Sequence, residues 1–131
     1  MNKPTKPRGG KIDFTIPEMF PLIENGSKYV TIRKHRKNGL EVGGILKVYL
    51  GNRFHGDQRF LGTAEILALE NVTFQEDYPA IKFYRPIDDS PKDLYQKDGF
   101  HTFTDFIKYH LDGKAIVHKQ IITFGNQSWL N

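Results

Sequence analysis

The sequence predicts an α+β domain in which about five to six mainly antiparallel strands form a small barrel flanked by two helices. Two observations carry this. Apolar residues alternate with polar ones in short stretches at 29–33, 45–50, 60–74 and 115–124, the period of a strand with one buried face. Helical spacing is confined to two places, one before the first of these stretches and one before the last. Strands that follow one another in sequence favour antiparallel pairing, and a handful of such strands curls readily.

Taken in order, Thr15-Ile16-Pro17-Glu18 resembles a helix start, with Thr15 as cap and Glu18 reaching back. Met19, Phe20, Leu22 and Ile23 supply its apolar side, and Gly26 is a natural stop. Pro21 conflicts with an uninterrupted helix, so a kink or a start delayed to about Pro21 is expected. The first strand follows at 29–33, then a polar loop at 34–39, a turn at Val42-Gly43-Gly44 and a strand at 45–50. A long strand runs over 60–74. The pattern weakens over 75–96, where a short strand around 80–84 or a lid is expected. Thr102 caps the best helix, with Asp105 three residues on and Phe103, Phe106, Ile107 and Leu111 on one face. Asp112-Gly113 ends it, and a last strand follows.

With 131 residues the chain is expected to hold one domain, large enough for a core without staples. The absence of cysteine excludes disulfides, thiolate nucleophiles and zinc–thiolate sites, and fits a reducing, cytoplasmic compartment. No apolar run reaches the roughly 18 residues of a membrane span, and the polar start does not read as a signal peptide. The net charge is +4, and the first eleven residues account for all of it through Lys3, Lys6, Arg8 and Lys11. Residues 1–11 therefore read as a flexible basic arm, and 12–131 as the domain. A second basic block comprises Lys28, Arg33, Lys34, His35, Arg36 and Lys37, with no acid from Ser27 to Leu40. It would favour an anion nearby, or simply be a solvated loop.

The most informative stretch is Gly26 to Arg33. Val30 and Ile32 alternate with Tyr29, Thr31 and Arg33, so the latter three would share one strand face. Lys28 can join Thr31 only from the turn before the strand. A cation, a hydroxyl and an aromatic ring at a strand entrance suit a phosphate, a nucleobase or a developing oxyanion. An ordinary hairpin strand with a polar outer face is the alternative.

Three local signatures then carry a resemblance. Gly26, Lys28, Thr31 and Arg33 match a Gly-x-Lys-x-x-Thr-x-Arg pattern. Val42-Gly43 precedes a strand, with Gly44 where an aspartate is usual. Asp98-Gly99-Phe100 precedes a helix containing Phe106 and a closing strand that ends Ile121-Ile122-Thr123-Phe124. In this order they resemble the ASCH domain family, over roughly residues 12–124. The resemblance implies a PUA-like β-barrel and a cleft beside it that binds RNA. Some members are hydrolases, removing the acetyl group of acetylcytidine or cleaving RNA. The lysine, threonine and glutamate of the amidohydrolase group fall by motif on Lys28, Thr31 and Asp98, the last one methylene short.

Those residues support two chemistries. As a hydrolase, Thr31 would be the nucleophile, needing a base within about 3 Å, and Asp98 would shuttle a proton. Lys28 could be that base if burial or Arg33 lowered its pKa; protonated, it could only stabilise an oxyanion. As a binding site, Lys28, Arg33, Lys34, Arg36 and Lys37 would pair with phosphates, and Tyr29 or Tyr95 would stack on a base. Arg33 could instead form a structural ion pair with Asp98. The partner expected on this reading is RNA or a modified nucleoside or nucleotide, with no cofactor, and no metal because His55, His101, His110 and His118 lack ligand spacing. A domain with a vestigial cleft that binds a protein through its arm or its Tyr-rich loop is a third reading.

Overall fold

The fold is built on one mixed sheet and two apolar clusters, seen here in a computed structural model that describes residues 6–36, 39–52, 54, 56–77, 80–84 and 91–130. The strands are β1 (Gly10–Phe14), β2 (Val30–Arg33), β3 (Ile45–Leu50), β4 (Arg59–Asp77), β5 (Ala80–Tyr84) and β6 (Ile116–Trp129). The helices are α1 (Phe20–Glu24), α2 (Pro91–Lys97) and α3 (Phe103–Leu111), with a 3-10 turn at Pro17–Met19 leading into α1.

The sheet order is β1-β3-β4-β6-β2, with β5 pairing to the far end of β4. Every pairing is antiparallel except β1 with β3. The two longest strands, β4 and β6, form the spine. Their ladder shifts register between Thr63 and Glu65 and again between Ile66 and Ala68. Such bulges bend a strand and increase its twist. Gly62 stands at the first bend with φ 147°, where an added Cβ would collide with the Ser128 carbonyl. No other residue type fits that close approach of two backbones.

Among the described residues no ladder joins β1 to β2, so the expected barrel is not closed. Both edge strands are short, five and four residues. Side chains rather than backbone hydrogen bonds meet across the gap: the Arg33 guanidinium lies 4.9 Å from the centre of the Phe14 ring.

Several sequence expectations differ from the observed elements. Gly10 and Lys11 are not part of a free arm, because they open β1 and pair in parallel with Leu46 and Lys47. Arg8 is also tied down, its carbonyl accepting from Glu41 N at 3.0 Å. Residues 1–5, with Lys3, lie outside the described residues. Thr15 does not cap the first helix: the 3-10 turn starts after Ile16, without a side-chain cap. Pro17 and Pro21 each sit in a first turn, where a missing N–H costs nothing, which splits the segment into a 3-10 turn and a short α-helix. Among the described residues three helices rather than two flank the sheet, since 91–97 forms α2.

Other expectations hold. Gly26 ends α1 with φ 83°. Thr102 Oγ1 accepts from Asp105 N at 3.1 Å, and Asp112 and Gly113 end α3 in the left-handed region. A short strand does occupy 80–84.

One apolar cluster lies under β1, β3 and the first helical segment, with Ile12, Phe14, Ile23, Leu46, Val48 and Phe124 among its members. The other joins β2, β4 and β6 to α2 and α3 through Val30, Ile32, Phe74, Leu94, Phe106 and Ile107. Phe100 packs against both, and so marks the seam between them.

Candidate functional site

The unclosed edge between β1 and β2 is where a cavity of about 190 Å³ opens. Asp13 and Phe14 come from β1, Thr31 and Arg33 from β2, Asp98 and Phe100 from the segment after α2, Tyr109 and His110 from α3, and Lys119 from β6. Among the described residues Lys28, Lys34, Thr15, Ile16, Met19 and Ile32 complete the walls.

Lys28 is delivered by the turn after α1. Its N–H donates to the Leu22 carbonyl at 2.9 Å, which folds the chain back before β2 begins. The side chain is 2% exposed, far from an ordinary turn lysine. Its Nζ donates to Asp98 Oδ1 at 2.8 Å, to the Asp98 carbonyl at 2.8 Å and to the Val30 carbonyl at 2.9 Å. Three acceptors match the three N–H bonds of an ammonium, so the geometry suits the protonated form. Burial lowers its pKa from 10.5, with Asp98 pulling it back up and Arg33 adding to the fall.

Asp98 owes its position to the end of α2. Its N–H donates to the Leu94 carbonyl at 3.0 Å, and Gly99 then turns the chain with φ 93°. That turn aims both the carboxylate and the backbone carbonyl at Lys28. The second carboxylate oxygen, Oδ2, lies 2.9 Å from His110 Nε2. Lys119 Nζ in turn lies 3.0 Å from His110 Nδ1.

This chain of contacts fixes the histidine. A carboxylate only accepts, so Nε2 carries the proton and donates to Asp98. An ammonium only donates, so Nδ1 is the bare nitrogen and accepts from Lys119. His110 is therefore neutral. Its surroundings agree: the ring stacks on Phe74 at 4.8 Å and meets the edges of Phe106 and Phe100 at 5.0 and 5.9 Å. Burial in that aromatic box lowers its pKa below 6.5, against the pull of Asp98.

The sequence-derived candidates divide as follows. Lys28, Thr31, Arg33, Lys34 and Asp98 all line the cavity. Thr31 is 3% exposed, and its Oγ1 accepts from Arg33 Nε at 3.1 Å. Arg33 is not paired with Asp98; that carboxylate is taken by Lys28 and His110. Tyr29 precedes β2 instead of belonging to it, and packs with the second apolar cluster away from the cavity. Tyr95 does the same, its ring edge-on to Phe103 at 6.3 Å. Arg36 is exposed and donates to the Lys11 carbonyl, outside the cavity wall. Lys37 lies outside the described residues.

Asp13, Phe14, Tyr109, His110 and Lys119 were not foreseen as site residues. For His110 a signal existed. It falls four after Phe106 and three after Ile107, on the apolar stripe of α3, where a solvent-seeking helix-end histidine would not be placed. Lys119 shares its strand face with Val117 and Ile121, another polar group in an apolar register. Asp13 and Phe14 had none, because β1 itself was unrecognised. Among the described residues no three His, Asp or Glu side chains cluster as metal ligands would, and no helix is long and apolar enough to cross a membrane.

In sequence, no family model and no curated protein matches this chain. In structure it is similar to ZmASCH from Zymomonas mobilis, in crystal structures of two single-residue variants. One has 12% identity and a TM-score of 0.56 over 92% of this chain and 71% of that one. The other has 12% identity and a TM-score of 0.57 over 95% and 72%. The chain thus has the fold of these ASCH proteins, as its three local signatures led one to expect.

Proposed function

We propose that the chain binds RNA or a modified nucleotide in the cavity between β1 and β2. The observation that carries this reading is the charge left over once the buried pairs are counted. Among the described residues Lys28, Arg33, Lys34 and Lys119 line the cavity against two carboxylates, Asp13 and Asp98. Asp98 is already satisfied by Lys28 and His110. Among the described residues Arg33 donates only its Nε, to Thr31, which leaves the two terminal amino groups of its fork for a phosphate or a base edge. Phe14, Phe100 and Tyr109 supply flat apolar walls. The volume is below the ~300–1,000 Å³ of sites for drug-sized ligands, so one base or one phosphate is the unit accommodated.

A second reading, hydrolysis, is favoured by the convergence of Lys28, Thr31 and Asp98 on one cavity. Thr31 accepts from Arg33, so its own O–H remains free to be deprotonated. The base is the difficulty. Lys28 would have to surrender one of three well-made hydrogen bonds and its charge beside Asp98. Binding demands no such step and is the preferred reading.

The test is to titrate the protein with mononucleotides and short RNAs while assaying acetylcytidine and RNA for products. Retained ligand, weakened by Arg33→Ala and by salt, supports binding. Turnover that disappears in Thr31→Ala, with the fold intact, would replace it with the hydrolase reading. No retention and no turnover would remove both.

A further inference from the structure

Directly behind Tyr109 a second hollow of about 290 Å³ adjoins the cavity. Lys34, Tyr109, His110 and Lys119 line both, so the two share a wall. Lys108 and Lys114 are added on the outer side, with Asp112 as its acid. Among the described residues, four lysines against one carboxylate make this hollow more cationic than the cavity itself.

We infer that this hollow is a phosphate-backbone groove, and that the ligand is a single-stranded nucleic acid whose unstacked base or terminal nucleotide enters the cavity. The inference rests on the binding reading above and extends it from a nucleotide to a strand.

Three features of the shared wall support it. Tyr109 is 53% exposed, yet its ring is braced by Phe100 at 5.2 Å and by the edge contact with His110 at 5.1 Å. A braced, half-open aromatic ring beside lysines is the combination on which single strands stack and track. Lys119 is held at the junction by His110 Nδ1, with its ammonium 5.9 Å from the Tyr109 ring centre. Burial lowers the Lys119 pKa and the neighbouring charge of Lys34 lowers it further, while Asp98 and Asp112 oppose the fall, so a bound anion would favour its charged form. A duplex is disfavoured because a base must leave its stack to enter so small a cavity. An acidic peptide would answer the lysines but offers no planar ring for Tyr109.

The experiment compares uridine monophosphate with a labelled five-nucleotide oligouridylate, over a range of salt, for the wild type and for Lys108→Ala/Lys114→Ala. Both lysines are exposed, so the fold should survive. The wild type should prefer the oligonucleotide. The double variant should lower the ratio of the two affinities about tenfold and flatten the salt slope of the oligonucleotide by about 1.4, two single-strand phosphate contacts. An unchanged ratio and slope would overturn the groove, as would a decaglutamate peptide binding equally well with the same lysine dependence. If the monophosphate does not bind but the oligonucleotide does, with the lysine dependence, the groove stands and the cavity reading falls. If neither binds, both fall.

Discussion

His110 Nε2 sits 2.9 Å from Asp98 Oδ2, and this contact between the end of α2 and the last turn of α3 is the centre of a chain that sets the protonation of the site. With Lys28 on the other oxygen and Lys119 on the far ring nitrogen, the order is ammonium, carboxylate, neutral imidazole, ammonium. Each donor faces an acceptor, and moving one proton disturbs the next pair.

Asp98→Asn should be strongly destabilising although it is nearly isosteric. The amide must either turn its NH₂ toward the His110 N–H or toward the Lys28 ammonium, and the buried Lys28 charge loses its counterion in both cases. Breaking a buried pair in this way costs about 3–5 kcal/mol. Urea unfolding at pH 7 should show a lower midpoint with an unchanged slope; a loss under about 1 kcal/mol would contradict the pairing.

Stability should fall as the pH drops below about 6.5, and His110 should be the cause. Its pKa is lower folded than unfolded, so in that window the unfolded chain binds a proton that the native site excludes. The contribution is fully present above the unfolded value and is lost on acidification. In His110→Gln this part of the pH profile should flatten. An NMR titration placing the His110 midpoint above 6.5 would refute the lowered pKa and the acid loss of stability that follows from it.

Lys28→Met should raise the pKa of His110. The ammonium of Lys28 helps hold that pKa down, and without it the Asp98 carboxylate has only the imidazole as partner. The midpoint of the ring titration should therefore move up relative to wild type; no movement would mean that Lys28 and His110 are not coupled through Asp98.

Arg33→Lys should weaken nucleotide binding almost as much as Arg33→Ala. A lysine keeps the charge but loses both the planar fork and the Nε–H that anchors it to Thr31. A loss of about tenfold for both variants, measured by calorimetry, is expected from one charge-assisted contact. Full affinity in the lysine variant would show that only the charge matters.

Gly62→Ala should cost about 2 kcal/mol or more, although Gly62 is far in sequence from every site residue. The new methyl group meets the Ser128 backbone and the φ of 147° is strained for alanine. Thermal unfolding checks this. A neutral result would mean that β4 and β6 can separate there without loss.

The strand and helix patterns were legible because alternation and helical spacing are local. Val30 and Ile32 turned inward as their period required, Thr102 capped α3, and Gly26 ended α1. Even the placing of Lys28 on the same cavity as Thr31 could be read, since only a turn before β2 allows it. β1 was not legible. Its five residues pair in parallel with β3, more than thirty positions away, and nothing in Gly10 to Phe14 announces that partner.

By itself, then, the sequence determined the α+β class, the faces of the strands it marked and the cationic entrance at Lys28 to Arg33, because each follows from neighbours within a few residues. Only the tertiary structure decided which charges meet. It gave Asp98 to Lys28 and His110 rather than to Arg33, withdrew Tyr29 and Tyr95, and brought Phe14, Tyr109 and Lys119 to the cavity. The reason is physical: which oxygen a buried cation reaches depends on the end of α2 and the packing of α3 on the sheet, contacts between segments tens of residues apart that no local pattern encodes.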